Sequence, residues 1–346
     1  MAYTTIKKPS DYFNTATWSG DSSSSRNITG VNFQPDLVWI KNRGSAHSHQ
    51  LYDVLRGATK RIFSDLTTAE ETDANALTSF DSDGFSLGTN VGVNENGVNQ
   101  VAWNWLANGT GVSNTDGNGN NVLVSANTTA GFSIVQGDMN ASGSWTFGHG
   151  LGVAPSMIIL RGQTVTSNWY VYHKSLGAGT RIFLNTTDAS TSDTTFMDNT
   201  TPTANVFSMN AGTWSAGAGT KIIAYCFAEK KGFSKFDKYT GNGSTDGTFI
   251  YTGFKPAFLI IKNSSSTGAW YMQDNKRDVN NPIDLSLNAS DSNADNNQGN
   301  IMDFLSNGIK IKTTGTGYNS SGATYIYMAF AENPLVGTNN IPATAR

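Results

Sequence analysis

With 346 residues, a mass of 37.0 kDa and a net charge of −3, the chain has room for two or three domains and carries no basic footprint for nucleic acid. Charged residues make up only 14%, apolar residues 38%, and glycine fills 36 positions, a balance that favours short strands and polar turns over long charged helices. The one cysteine, Cys226, excludes a disulfide framework, and no run approaches the roughly twenty apolar residues of a membrane helix.

In chain order, residues 1–11 read as an arm with no core residues of its own, ordered only where a partner holds it and so a candidate anchor. Its two lysines have no apolar stretch behind them, so the expectation is a soluble chain made in a cytoplasm. Residues 12–111 form a first β unit. Within it, Leu37, Val38, Trp39 and Ile40 predict a strand buried on both faces, and Pro35 suits its start, where no ladder N–H is required. Asp83-Gly84 before Phe85-Ser86-Leu87 predicts a turn and an alternating strand, and residues 67–76 are the one plausible short helix.

Residues 112–130 read as a linker and lead-in strand, flexible by composition. The Asp116-Gly117-Asn118 run has a calcium-loop look but lacks the closing Glu and flanking helices, so it reads as a turn. Residues 131–230 form a second unit, in which Gly148-His149-Gly150-Leu151-Gly152 predicts positive φ or close backbone approach. A third unit spans 231–335 and includes a polar loop at 290–300; residues 336–346 are a surface tail.

The three units are written in the same register. Pro35, Pro155 and Pro256 each precede an apolar run, followed six residues after the proline by Lys41, Arg161 or Lys262. Fourteen after it come His49, Trp169 or Trp270, and eighteen after it Asp53, His173 or Asp274. Phe85, Phe207 and Ile309 follow further on, and Ala107, Ala228 and Ala331 close the copies, leaving Asn108, Glu229 and Glu332 in one column. A module of roughly one hundred residues, present three times, is the reading. The fold expected is all-β, three tandem β-sandwich or jelly-roll-like repeats with about seven or eight strands each. They could stack end to end or surround a pseudo-threefold axis.

Catalytic constellations are absent from the pattern: no nucleophile elbow, phosphate loop or Ser-His-Asp spacing stands out, so no catalytic residue and no cofactor is assigned. His47 and His49 with Asp53 could frame a metal, but Trp169 and Trp270 occupy the His49 column, so packing is preferred and no metal site is assigned. The mixed Asp53, His173, Asp274 column reads as a polar, exposed strand end. Cys226 sits in an apolar run, as a buried inert thiol would. Glu229 and Glu332 would have to meet across units to act as a glycosidase pair. For the constant cations Lys41, Arg161 and Lys262, strand-end pairing competes with anion or sugar contact, and for Trp169 and Trp270 core packing competes with sugar stacking. Trp18, Trp145 and Trp214 lie in Gly/Ser/Thr-rich stretches and are the better candidates for exposed aromatic platforms.

Several segments together resemble a known group of proteins: residues 33–43, 51–57, 79–87, 148–155, 169–173 and 325–334. They look like virion proteins of tailed phages, marine ones especially, that carry tandem copies of an uncharacterised β-rich domain. The resemblance covers nearly the whole chain and transfers no catalytic residue. It implies a non-enzymatic virion component, a tail fibre, spike or head decoration. Such a protein is expected to self-associate, as a homotrimer or another homo-oligomer, to meet other virion proteins through residues 1–11, and to contact a host-surface glycan. A long shaft and a large anchoring domain, which a long fibre would need, are not evident in the sequence. A glycan-degrading tailspike is the remaining alternative.

Overall fold

The computed structural model describes residues 3–139, 143–210 and 219–336. The described chain is almost entirely β. The first stretch supplies β1 (Phe13–Ser19), β2 (Arg26–Ile28), β3 (Leu37–Asn42), β4 (Gln50–Asp53), β5 (Lys60–Phe63), β6 (Glu71–Thr72), β7 (Leu77–Asp81) and β8 (Gly84–Leu87). A one-turn helix, α1 (Val91–Asn94), and β9 (Asn99–Trp105) complete it. The second stretch supplies β10 (Val112–Ser113), β11 (Asn120–Asn127), β12 (Phe132–Met139), β13 (Ser144–Gly148), β14 (Met157–Gly162), β15 (Tyr170–His173), β16 (Thr180–Phe183), β17 (Thr191–Ser192), β18 (Val206–Asn210) and β19 (Thr220–Phe227). The third supplies β20 (Ser234–Thr240), β21 (Phe249–Tyr251), β22 (Phe254–Asn263), β23 (Trp270–Asp274), β24 (Ile283–Asn288), β25 (Asn296–Leu305), β26 (Gly308–Ile311) and β27 (Thr324–Pro334).

One strand order recurs. The first main sheet runs β1-β9-β3-β4-β5-β6, the second contains β12-β19-β14-β15-β16-β17, and the third contains β20-β27-β22-β23-β24. A smaller layer faces each: β2-β8-β7, then β13-β18, then β25-β26-β21, the last joined to its main sheet through β24. Each is an antiparallel sandwich.

Strand alternation explains why the central strands are apolar throughout. Successive side chains point to opposite faces. In β3, Val38 and Ile40 enter the sandwich's own core with Phe85 and Ala102, while Leu37 and Trp39 enter a second core shared by all three sheets. Ile158 and Leu160 of β14, and Leu259 and Ile261 of β22, likewise face inward to their own sandwiches. Met157, Ile159, Phe258 and Ile260 join the shared core. At its heart three rings from three closing strands meet: Trp105 to Phe227 at 6.2 Å, Trp105 to Phe330 at 5.8 Å and Phe227 to Phe330 at 6.1 Å between centroids. The sandwiches therefore surround a pseudo-threefold axis with their main sheets turned inward.

The register shifts one column of the sequence reading. Trp105, Phe227 and Phe330 pair with Leu37, Met157 and Phe258 respectively, so these rings are equivalent. Leu106, not Ala107, matches Ala228 and Ala331: their N–H groups donate to Tyr12, Gly131 and Phe233. Cys226 then corresponds to Asn104, and Glu229 and Glu332 to Ala107. A slip of one residue exchanges faces, which is why the correction matters.

Four local expectations change. Residues 67–76 hold β6, not a helix; the short helix lies at Val91–Asn94, where Asn90 caps it by accepting from the Gly92 N–H at 2.8 Å. The supposed flexible linker contains β10 and β11, two added edge strands of the second sheet. Part of the polar loop at 290–300 is the exposed start of β25. The arm is packed: Ile6 is 1% exposed in the shared core, Pro9 is buried, and the Tyr3 hydroxyl donates to the Gly253 carbonyl at 2.6 Å. The partner that orders it is the third sandwich of its own chain. Gly150 and Gly152 do adopt positive φ, at 68° and 69°.

Candidate functional site

The columns that the repeat preserves come together at the joints between sandwiches. Asp53, at the end of β4, is fully buried; its Oδ2 binds Arg56 Nε at 2.5 Å and accepts from the Tyr225 hydroxyl of the second sandwich at 2.8 Å. Asp274 repeats this in the third sandwich, with Arg277 Nε at 2.6 Å and the Trp103 Nε1–H of the first at 3.1 Å. His173 takes the position in the second, its Nε2 3.2 Å from the Tyr327 carbonyl of the third. Contacts thus run second to first, third to second and first to third, a head-to-tail ring that closes on itself. The expectation of a polar, exposed strand end is corrected: the column is buried because the neighbouring sheet covers it.

The cations are joints as well. Alternation puts Lys41, Arg161 and Lys262 on the inward face, and all three are 0% exposed. Arg161 donates to the Leu66, Thr67 and Thr68 carbonyls of the first sandwich at 3.1, 2.9 and 2.6 Å. Lys262 donates to Thr187 of the second at 3.2 Å. Lys41 donates to its own Asn42 and Ser45 carbonyls and feels Asp295 and Asp291 of the third sandwich. Burial pulls Lys41 and Lys262 down to about 8 and Arg161 to about 10. Beside them the Trp169 Nε1–H donates to the Phe63 carbonyl at 2.7 Å and the Trp270 Nε1–H to the Phe183 carbonyl at 2.8 Å. His49 fills the third place, accepting from Trp39 Nε1 at 2.9 Å and lying against the Asn288 backbone. Backbone links follow the same cycle: Glu70 N–H to Gln163, Ser190 N–H to Ser264, Asp295 N–H to Arg43, the last reinforced by an Arg43–Asp295 ion pair at 2.6 Å.

As surface contacts for a ligand, Lys41, Arg161, Lys262, Trp169 and Trp270 are therefore corrected: each is enclosed by the adjoining sandwich. Trp18 is also buried, 8% exposed and edge-on to Phe85 in the first core, and Trp145 packs half-buried against the second. Trp214 lies outside the described residues. Cys226 is fully buried, its thiol pushed up by desolvation. Among the described residues no group of three or more His, Cys, Asp and Glu could hold a metal ion; His47 pairs loosely with Glu95 at 3.7 Å. The Arg three places after Asp53 and Asp274 went unread, although i, i+3 spacing of opposite charges at a strand end was visible.

Two clefts open at the proline end of the ring. One, about 200 Å³, lies between the first and third sandwiches and is lined by Asn14, Thr15, Asn275, Lys276 and Glu332. The other, about 280 Å³, lies where the second sandwich hands over to the third and is lined by Tyr3, Glu229, Lys231, Lys235 and Tyr251. Glu229 is held by Lys174 at 2.7 Å and Lys235 at 3.1 Å, and Glu332 stands 3.6 Å from Lys255. The two glutamates line separate clefts, each beside ammonium groups. Burial and the Tyr251 hydroxyl push Tyr3 up to about 12.

No curated protein and no solved structure matches the chain. The model of a family described as a domain of unknown function (DUF7483) matches residues 8–334, all three sandwiches as one domain, and the chain belongs to that family.

Proposed function

We propose that the protein is a non-enzymatic surface component of a tailed-phage virion, serving attachment or receptor contact. One observation carries this: the polar residues kept at equal spacing through the three sandwiches serve the joints of a closed ring, as Asp53, His173 and Asp274 do. What is constant in the repeat is architecture, even where the residues at a joint differ. A glycan-degrading spike is less well supported, since Glu229 and Glu332 line different clefts beside lysines. The threefold arrangement expected of a homotrimer is built within a single chain, so further self-association would use outer faces.

Head decoration is the second reading, favoured by an arm that folds back onto the ring instead of reaching away from it. Peptide mapping of purified particles from a culture carrying this gene tests the first statement: the chain should be found in intact virions, and its absence overturns the proposal. Gold-labelled antibody on whole particles then separates tail from head.

A further inference from the structure

We infer that the cleft floored by Tyr251 and Tyr3 and flanked by Lys231 binds an acidic saccharide, a sugar carrying a carboxylate. The inference rests on the surface-contact reading above. It begins with a difference among equivalent strands. Ile28, Phe147 and Ile250 occupy one register position, opposite Phe85, Phe207 and Ile309. Their flanking residues are Asn27 and Thr29, Thr146 and Gly148, and Phe249 and Tyr251. Only the third strand presents two aromatic side chains, and they are 44% and 55% exposed on a sheet edge. Exposed rings on an edge strand suit a partner's apolar face, and Tyr251, one of the two, lines the cleft.

The arm adds a second ring. Tyr3 reaches the cleft because Gly232 and Gly253 leave room for it, both at positive φ (76° and 78°). A Cβ at Gly253 would lie 2.8 Å from Tyr3 Oη, and one at Gly232 would lie 2.9 Å from Thr4 Cβ. Charge completes the chemistry. Glu229 is already neutralised by Lys174 and Lys235, whereas the exposed Lys231 places its ammonium 4.6 Å over the Tyr3 ring and, among the described residues, forms no ion pair. A cavity of about 280 Å³ with aromatic walls and a few convergent polar groups is near the small end of ligand sites. A sugar ring can lay its C–H face on Tyr251 while its carboxylate meets Lys231. A neutral sugar would leave the ammonium unused, and a bare anion would leave the rings unused.

Calorimetric titration of the whole chain with an oligouronate, a neutral glucose oligomer and inorganic phosphate tests this. The oligouronate should bind, the neutral oligomer about tenfold more weakly, and phosphate not at all. Tyr251→Ala should weaken oligouronate binding about tenfold, and Lys231→Ala should remove the preference for the acidic sugar. Both side chains are exposed, so the variants keep the fold, checked by near-ultraviolet circular dichroism. Absence of sugar binding, phosphate binding as tight as the oligouronate, or variants that bind like the parent each overturn the inference. A chain present in virions that binds no acidic sugar would sink only this inference; binding by a chain absent from virions would sink only the virion reading.

Discussion

Two joints of the ring occupy the same place and use different chemistry. Between the first and second sandwiches, Asp53 is a carboxylate held by Arg56 and by the Tyr225 hydroxyl. Between the second and third, His173 is a neutral ring against the Tyr327 carbonyl, and no arginine follows three residues later, where Leu176 stands. Tyr225 itself is matched in the third sandwich by Met328, which has no strong donor, so the backbone of the adjacent Tyr327 supplies the partner instead. What this position demands is a buried polar group with its hydrogen bonds made, and whether that group carries a charge is free to vary.

The comparison can be broken at several strengths. Removing the carboxylate has the largest effect: Asp53→Ala strands the buried Arg56 guanidinium and the Tyr225 hydroxyl, and should cost about 3–5 kcal/mol in denaturant unfolding. The histidine joint should respond to acid between its ordinary and its buried titration range. Burial holds His173 down to about 4, below its ordinary 6.5, so the unfolded chain takes up the proton first as pH falls. His173 should contribute up to roughly 3 kcal/mol of a stability loss between pH 6.5 and 4, and His173→Gln should remove that share while the buried His49 and His149, also held below 6.5, keep theirs. Asp36, pushed up to about 6 by burial, acts in the opposite direction below pH 6, but it is common to both proteins and cancels in the difference.

Milder changes sharpen the contrast. Tyr225→Phe leaves Asp53 its arginine and should cost about 1–2 kcal/mol, measured as a shift in denaturation midpoint at unchanged m-value. The exposed Tyr251→Ala should move stability by less than about 0.5 kcal/mol, which is what frees it for use as a binding probe.

Much of the fold was legible. A four-residue apolar run after a proline means burial on both faces, and Val38 and Trp39 do enter different cores. The even spacing of Lys41, Arg161 and Lys262 was equally plain. Their environment was not, because a polar side chain in a single sequence defaults to the surface, while these are satisfied by carbonyls of a neighbouring sandwich far along the chain. The closing column slipped by one residue since Leu106-Ala107 offers two apolar candidates to align with Ala228 and Ala331, and only pairing with Tyr12, Gly131 and Phe233 separates them. Tyr3 and Tyr251 stand 248 residues apart in numbering, and nothing local to either segment announced that they would share a cleft.

The ring is closed by one polypeptide, and that has a consequence for how it can change. In an assembly of three identical subunits, every substitution is made in triplicate and every face stays the same. In this chain Phe249 and Tyr251 have no counterparts on β2 or β13, so one side can acquire its own specificity while the other two go on bearing the load.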